Sequence, residues 1–250
     1  MIRIGIIGQD PYAAHLMDAL RSQPDVDVIG LYSHKPTSIS KDLSEVTNLF
    51  CSESGLEYFK ERGIKVKGFL EDFLEGIDFL MEYDPNELSI KLTFEGTGIQ
   101  LSPKDIILSR LSSIPLSKLR IRWTSDIYCC PFFRPAMLEL ELSERVSLET
   151  LRDHLISSRR VSSINREVDL NEVCIYYPFF RRYTIFSIIL FLRSIEPSKD
   201  GSSINIFSLY GILSAVPEAI DAIREMRGID KEVSSSITDH HLNMKSGLLA

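Results

Sequence analysis

The chain has 250 residues, 44% of them hydrophobic, and a formal net charge of −7. That supports one large domain or two small ones with ample core, and it excludes a general nucleic-acid or membrane-surface binder. The most apolar stretch, Ile185 to Leu192, is too short to cross a bilayer.

Met1 to Lys35 reads as strand, tight turn, helix, strand. Ile2, Ile4, Ile6 and Ile7 form a β-branched run suited to a strand buried on both faces of a parallel sheet. Ala13, Leu16, Met17 and Leu20 follow at helical spacing, and Val26, Val28, Ile29 and Leu31 re-enter the sheet. In a dinucleotide-binding turn of this kind the pattern is G-x-G-x-x-G. Here the turn is Gly8-Gln9-Asp10-Pro11-Tyr12-Ala13, with a carboxylate in the second glycine's place. Asp10 is a favoured N-cap residue and Pro11 suits the first helical position. The Asp10 carboxylate then takes the free N–H groups and the dipole that a phosphate would use. Two readings stand: a nucleotide site lost or strongly altered, or an ordinary capped helix.

At the end of the second strand, Tyr32-Ser33-His34-Lys35 lacks the acidic residue that bonds a ribose 2′-hydroxyl. Ser33 with the neighbouring His34 and Lys35 suits a 2′-phosphate, so NADP is the candidate cofactor, against a plain polar loop. The candidate cofactor-binding set is therefore Gly8, Gln9, Asp10, Ser33, His34 and Lys35, vestigial or altered.

Pro36 to Ser54 reads as a long surface connection carrying one short helix. Leu56 to Gly63 reads as a helix ended by glycine, Ile64 to Val66 as a short strand, Phe69 to Leu74 as a helix, and Ile77 to Met81 as a strand. This alternation predicts a doubly wound parallel sheet through about residue 83. After Asp84-Pro85 the pattern changes. Ile90 to Phe94, Leu119 to Trp123 and the alternating Met137 to Leu142 are strand-like, with one wet face. Ser147 caps an amphipathic helix to Ser157, and a second helix runs from Leu170 to about Tyr177. Thr184 to Arg193 and Ser203 to Tyr210 form a hairpin around Glu196 to Gly201. Helices from Pro217 to Gly228 and onward to Met244 complete the chain.

The cysteines, Cys51, Cys129, Cys130 and Cys174, have no C-x-x-C or Cys/His metal spacing, so no metal site is expected. Met1 leads directly into a strand with no signal peptide, which predicts a reduced, cytoplasmic chain. Cys129 and Cys130 near Arg134 are either buried structural thiols or thiols lowered by the cation. His154 and the pair His240-His241 read as surface residues on helices. Arg152, Arg159, Arg160, Arg166, Arg181, Arg182 and Arg193 lie in the later half, either as surface ion pairs or as a local anion or RNA patch.

Val216-Pro217-Glu218-Ala219-Ile220-Asp221-Ala222-Ile223-Arg224 resembles the V-P-E-N-I-D-A-I-R segment of archaeal-type glyceraldehyde-3-phosphate dehydrogenases. The opening βαβ unit, Lys35-Pro36 and the strand–helix segment Met137 to Ile156 are similar as well. The resemblance implies a Rossmann-like doubly wound domain, residues 1–85 completed by helices in 212–250. It also implies a reduced α+β catalytic-type domain, 86–211, with helices on one face of a mixed or antiparallel sheet. In that family a Ser-Cys-Asn-Thr-Thr motif supplies the nucleophilic thiolate and a downstream histidine the base. Neither is present: the motif does not occur, and no histidine lies between His34 and His154. The resemblance therefore implies no catalytic residues and a non-catalytic paralogue acting as a binding or scaffold protein, with a homo-oligomer or an unknown protein as partner. An NAD(P)-dependent oxidoreductase and an RNA- or ribosome-associated protein are the alternatives.

Overall fold

The computed structural model describes residues 1–8, 12–33, 45, 47–124, 131–180 and 182–249, apart from the side chains at 175, 176, 179, 180 and 182. The chain forms two compact units, Met1–Leu101 with Ala219–Leu242, and Ser102–Glu218 with Asn243–Ala250.

The first unit is built on β1 (Ile2–Ile7), α1 (Tyr12–Arg21), β2 (Val26–Ser33), β3 (Leu49–Cys51), α2 (Leu56–Glu61), α3 (Leu70–Leu74), β4 (Phe79–Asp84), β5 (Ser89–Phe94) and β6 (Thr97–Leu101). Its sheet has the order β3-β2-β1-β4-β5-β6. The first four strands are parallel, with Ile6 beside Leu31 on one side and Met81 on the other. The buried isoleucines of β1 explain this central position, since Ile4 and Ile6 are fully covered. α1 buries Ala13, Leu16, Met17 and Leu20. Tyr32, Phe50 and Phe73 of α3 form an aromatic cluster, with Phe50 and Phe73 rings 5.2 Å apart. Gly5 makes room for it: a Cβ there would stand 2.7 Å from Phe73 Cζ. The strand order reverses between β1 and β4, the place where doubly wound sheets open a crevice.

Three expectations change here. Leu49–Cys51, expected in a surface connection, is a buried strand paired to β2. Ile64 to Val66 is not a strand; Phe50 bridges to Gly68 instead, and Lys67 N–H donates to Leu49 O at 2.8 Å. β5 and β6 continue the first sheet antiparallel to β4, so the division falls after Leu101 and not near residue 85. The physical reason is the tight turn at Glu95 and Gly96, both at positive φ, which keeps the two strands paired locally.

The second unit contains α4 (Pro103–Arg110), β7 (Leu116–Trp123), β8 (Phe133–Leu142), α5 (Leu148–Ser157), β9 (Val161–Ile164), α6 (Leu170–Phe180), β10 (Ile188–Phe191), β11 (Glu196–Pro197) and β12 (Ser203–Gly211). The chain then passes through α7 (Val216–Met226), divided between the units after Glu218, and α8 (Lys231–His241) in the first unit. It ends near β13 (Gly247–Leu248) in the second. The second sheet is mixed, in the order β13-β9-β10-β12-β8-β7, with β11 added to β12. Only β13–β9 and β9–β10 are parallel.

β8 alternates as its sequence requires: Leu138, Leu140 and Leu142 are buried while Met137, Glu139 and Glu141 are half-buried. α6 packs Val173, Cys174 and Tyr177 against Phe133, Ile189 and Leu209. The opposite face, carrying Leu138, Ile188, Leu190 and Ile206, is equally buried. The middle of this sheet is therefore buried on both faces. Residues 184–187 belong to a 3₁₀ turn and bend, Arg182–Phe186 and Ser187, so the strand expected from Thr184 starts at Ile188.

Candidate functional site

The strand reversal brings the C-terminal ends of β1 and β4 side by side. Gly8 is buried there, and Ala13, in the third glycine's place, is 2% exposed. A Cβ on Gly8 would stand 3.4 Å from Ala13 Cβ, so the first turn of α1 comes close to the strand end. Tyr12, the first residue of α1, packs its ring on Tyr83 of β4, centroids 5.7 Å apart and tilted 55°. Two tyrosines thus join the helix start to the end of the strand across the reversal.

At the end of the neighbouring β2, Ser33 is 1% exposed and pairs in register with Cys51. Gly8 and Ser33 therefore stand at the ends of adjacent strands. Gln9, Asp10, His34 and Lys35 lie outside the described residues, as do Cys129 and Cys130.

The described thiols are interior groups. Cys51 is fully buried, and burial pushes its thiol above the usual range. Cys174 is 3% exposed in the aromatic core under α6. His154 donates from Nδ1 to Ser113 O at 2.8 Å, which ties α5 to the loop before β7. The rings of His240 and His241 stand at 88° to each other. Among the described residues, no three His, Cys, Asp or Glu side chains gather as a metal site.

Three arginines of the later half pair with three different carboxylates. Arg160 is buried against Glu218 at 3.4 Å, Arg166 pairs with Glu172 at 3.0 Å, and Arg193 with Glu167 at 3.2 Å.

Two buried ionic clusters are the groups that sequence reasoning missed, and both are anchored on the Val216–Arg224 motif. In the second unit, Glu218 receives Arg110 through two bonds, Nε to Oε1 at 2.8 Å and Nη2 to Oε2 at 2.9 Å. Arg110 also donates to Arg160 O at 3.0 Å and to Ser214 O at 2.5 Å. Burial pushes the Glu218 carboxyl up, but Arg110 and then Arg160 outweigh it, and the net shift is downward.

In the first unit, Asp221 accepts from Ser234 Oγ (3.0 Å), Ser235 Oγ (2.7 Å) and Thr238 Oγ1 (2.6 Å) of α8. Arg224 donates to Thr238 Oγ1 at 2.7 Å, Gln23 Oε1 at 3.1 Å and both carboxylate oxygens of Asp25. The available signal was the spacing: Glu218, Asp221 and Arg224 recur every third residue on a helix with an apolar face. What they do chemically is hold helices in place.

An open hollow of about 210 Å³ lies on the outer face of the second sheet, lined by Arg122, Met137, Glu139, Glu196 and Asn205. Glu139 there bridges Arg120 at 2.7 Å and Arg122 at 2.9 Å.

No protein-family model matches the chain. It is similar to glyceraldehyde-3-phosphate dehydrogenases over about a third of its length. The match to that of Metallosphaera sedula is 30% identical over 87 residues, 34% of this chain and 26% of the relative. That to the enzyme of Thermoplasma volcanium is 32% identical over 92 residues, 36% of this chain and 27% of the relative. The matched stretches thus span about a quarter of these relatives. Among solved structures, aspartate-semialdehyde dehydrogenase II of Vibrio cholerae aligns with 97% of this chain and 98% of its own at 8% identity, TM-score 0.44. A probable aspartate-semialdehyde dehydrogenase of Pseudomonas aeruginosa covers 85% of this chain and 93% of its own at 8% identity, TM-score 0.42. Among the described residues, no helix is long and apolar enough to cross a membrane.

Proposed function

We propose that this chain is a non-catalytic relative of the archaeal-type glyceraldehyde-3-phosphate dehydrogenases, acting in the cytoplasm as a binding or scaffold protein with an impaired dinucleotide site. The observation that carries the reading is where the two described thiols, Cys51 and Cys174, stand. Aldehyde oxidation through a thiohemiacetal needs an accessible sulfur, lowered in pKa and served by a base. Cys51 has the opposite environment, fully buried with its thiol raised, and Cys174 is buried in a core of aliphatic and aromatic side chains. The motif that most resembles the family supports the same reading, because Glu218, Asp221 and Arg224 all bond inside the protein.

Two features support an altered nucleotide site: Tyr12 lies against Tyr83 at the strand reversal, and the sequence has Asp10 at the position of the second glycine in the dinucleotide-binding pattern. Calorimetric titration of the full chain with NAD, NADP and their reduced forms tests this. The expected result is no saturable heat with any of the four up to about 1 mM. NADP binding tighter than this, weakened by replacing His34 and Lys35 with alanine, would instead favour a retained adenosine end beside Ser33 and the oxidoreductase alternative.

A further inference from the structure

Among the described residues the two sheets have five edge strands, β11 included, and four of them are protected, β11 by its length of two residues and its proline. β3 has three residues, all buried, and its outer side is met by the bridge from Phe50 to Gly68. β13 has only two residues. β7 is long, but it sets Lys118, Arg120 and Arg122 in alternate exposed positions. Short length, cover and repeated cations are the means by which proteins keep sheet edges from pairing with another chain.

β6 has none of these. Thr97-Gly98-Ile99-Gln100-Leu101 carries no charge and no proline. Its first four residues are exposed and the last half-buried, and it is hydrogen-bonded to β5 on one side only. Ile99 stands 38% exposed, on the same face as the buried Ile90 and Leu92 of β5. The Glu95-Gly96 turn, with φ of 47° and 79°, holds the strand extended beside β5.

We propose that β6 is a docking edge, and that its partner is β6 of a second copy of this chain, paired antiparallel about Ile99. The segment is complementary to itself in that register. Ile99 faces its own counterpart, Thr97 faces Leu101, and Gly98 faces Gln100, so odd residues stay on the apolar face and even residues on the polar one. Each exposed Ile99 side chain is then covered by the other. Gly98 presents no side chain of its own, and the stem of Lys91, with its Cε 3.7 Å from where a Cβ would be, lies over it. No like charges face each other across this axis, whereas the same operation on β7 would bring its three cations together. The result is an isologous contact that joins two six-stranded sheets into one. Five-residue edges bury less than the standard interface of about 1,600 Å², so association is concentration-dependent.

The test is the molar mass of the full chain by sedimentation equilibrium across a concentration series, with far-UV circular dichroism as the folding control. The wild type is expected to move from one chain to two with rising concentration. Ile99→Lys, which sets two cations on the axis, is expected to remain a single chain with an unchanged spectrum. Gln100→Lys, on the exposed polar face, serves in its place if Ile99→Lys does not fold, with the same expected result. Ile99→Cys is expected to give a covalent dimer on mild oxidation, because residues opposite each other in such a pair lie within disulfide reach. A wild type that stays monomeric throughout overturns the proposal. So does a dimer that survives Ile99→Lys or Gln100→Lys, or one that is dissociated only by Met137→Lys on the outer face of the second sheet.

Discussion

Arg224 and Asp25, 199 residues apart, are joined by two guanidinium–carboxylate bonds, with Nε to Oδ2 at 2.8 Å. Arg224 is completely buried, and it also donates to Gln23, Thr238 and the Ser234 carbonyl. The pair therefore fixes α7 to the turn between α1 and β2. Removing the guanidinium leaves Gln23 and the Asp25 carboxylate without that partner. Arg224→Met is expected to lower stability by about 3 kcal/mol, the low end for breaking a buried ion pair because Asp25 is partly exposed. Urea denaturation followed by circular dichroism measures it.

The same pair gives a pH dependence of known sign. The Arg224 hydrogen bond holds the Asp25 carboxyl below its ordinary value of 3.8, more than burial pushes it up. A depressed folded-state value means the contribution is complete above the unfolded value and is lost as pH falls through the folded one. Wild-type stability is expected to decline below about pH 5, and Arg224→Met to decline less over that window. Glu218 and Asp78 are lowered too, Asp78 first through the Arg3 backbone N–H, so the variant keeps a residual slope. Urea midpoints measured from neutral to acidic pH check both slopes.

Burial and a raised thiol make Cys51 a poor nucleophile at neutral pH. Iodoacetamide at pH 8 is expected to leave Cys51 and Cys174 unmodified in the folded chain and to label both in guanidinium chloride. Peptide mass mapping distinguishes these sites from Cys129 and Cys130.

Gly211, at the end of β12, meets backbone where a side chain would begin. A Cβ there would lie 2.3 Å from Ile185 O and 2.8 Å from Ser187 O. Neither atom can rotate away, so Gly211→Ala is expected to cost about 2 kcal/mol. Gly201→Ala, at φ +71° with nothing within 4 Å of the added Cβ, separates backbone strain from crowding. Thermal melts of the two variants compare them.

The sequence revealed most where one local rule governs. The isoleucines of β1, the alternation Leu138 to Leu142, Ser147 as cap of α5 (Thr150 N–H to Ser147 Oγ, 3.1 Å) and the amphipathic α7 all follow from periodicity or capping. It revealed least where pairing is non-local. Leu49–Cys51 is too short and too polar in its surroundings to announce a strand, and only its neighbour β2 makes it one. Ile64 to Val66 had the right residues, but the chain reaches the edge of β3 only at Lys67 and Gly68. Ser89–Phe94 read correctly as a strand, yet its place in the first sheet depends on β4. Of the candidate site, Gly8 and Ser33 stand at the ends of adjacent strands, and Gln9, Asp10, His34 and Lys35 lie outside the described residues. The partners of Glu218 and Arg224, 108 and 199 residues away, could not be deduced from one helix.

The central claim is tested most directly by incubating the purified full-length chain with glyceraldehyde 3-phosphate and NAD or NADP, and following reduced cofactor at 340 nm before and after thiol alkylation. A non-catalytic protein gives no rate above buffer in either sample. A measurable rate that alkylation abolishes would show a working thiolate and contradict the account.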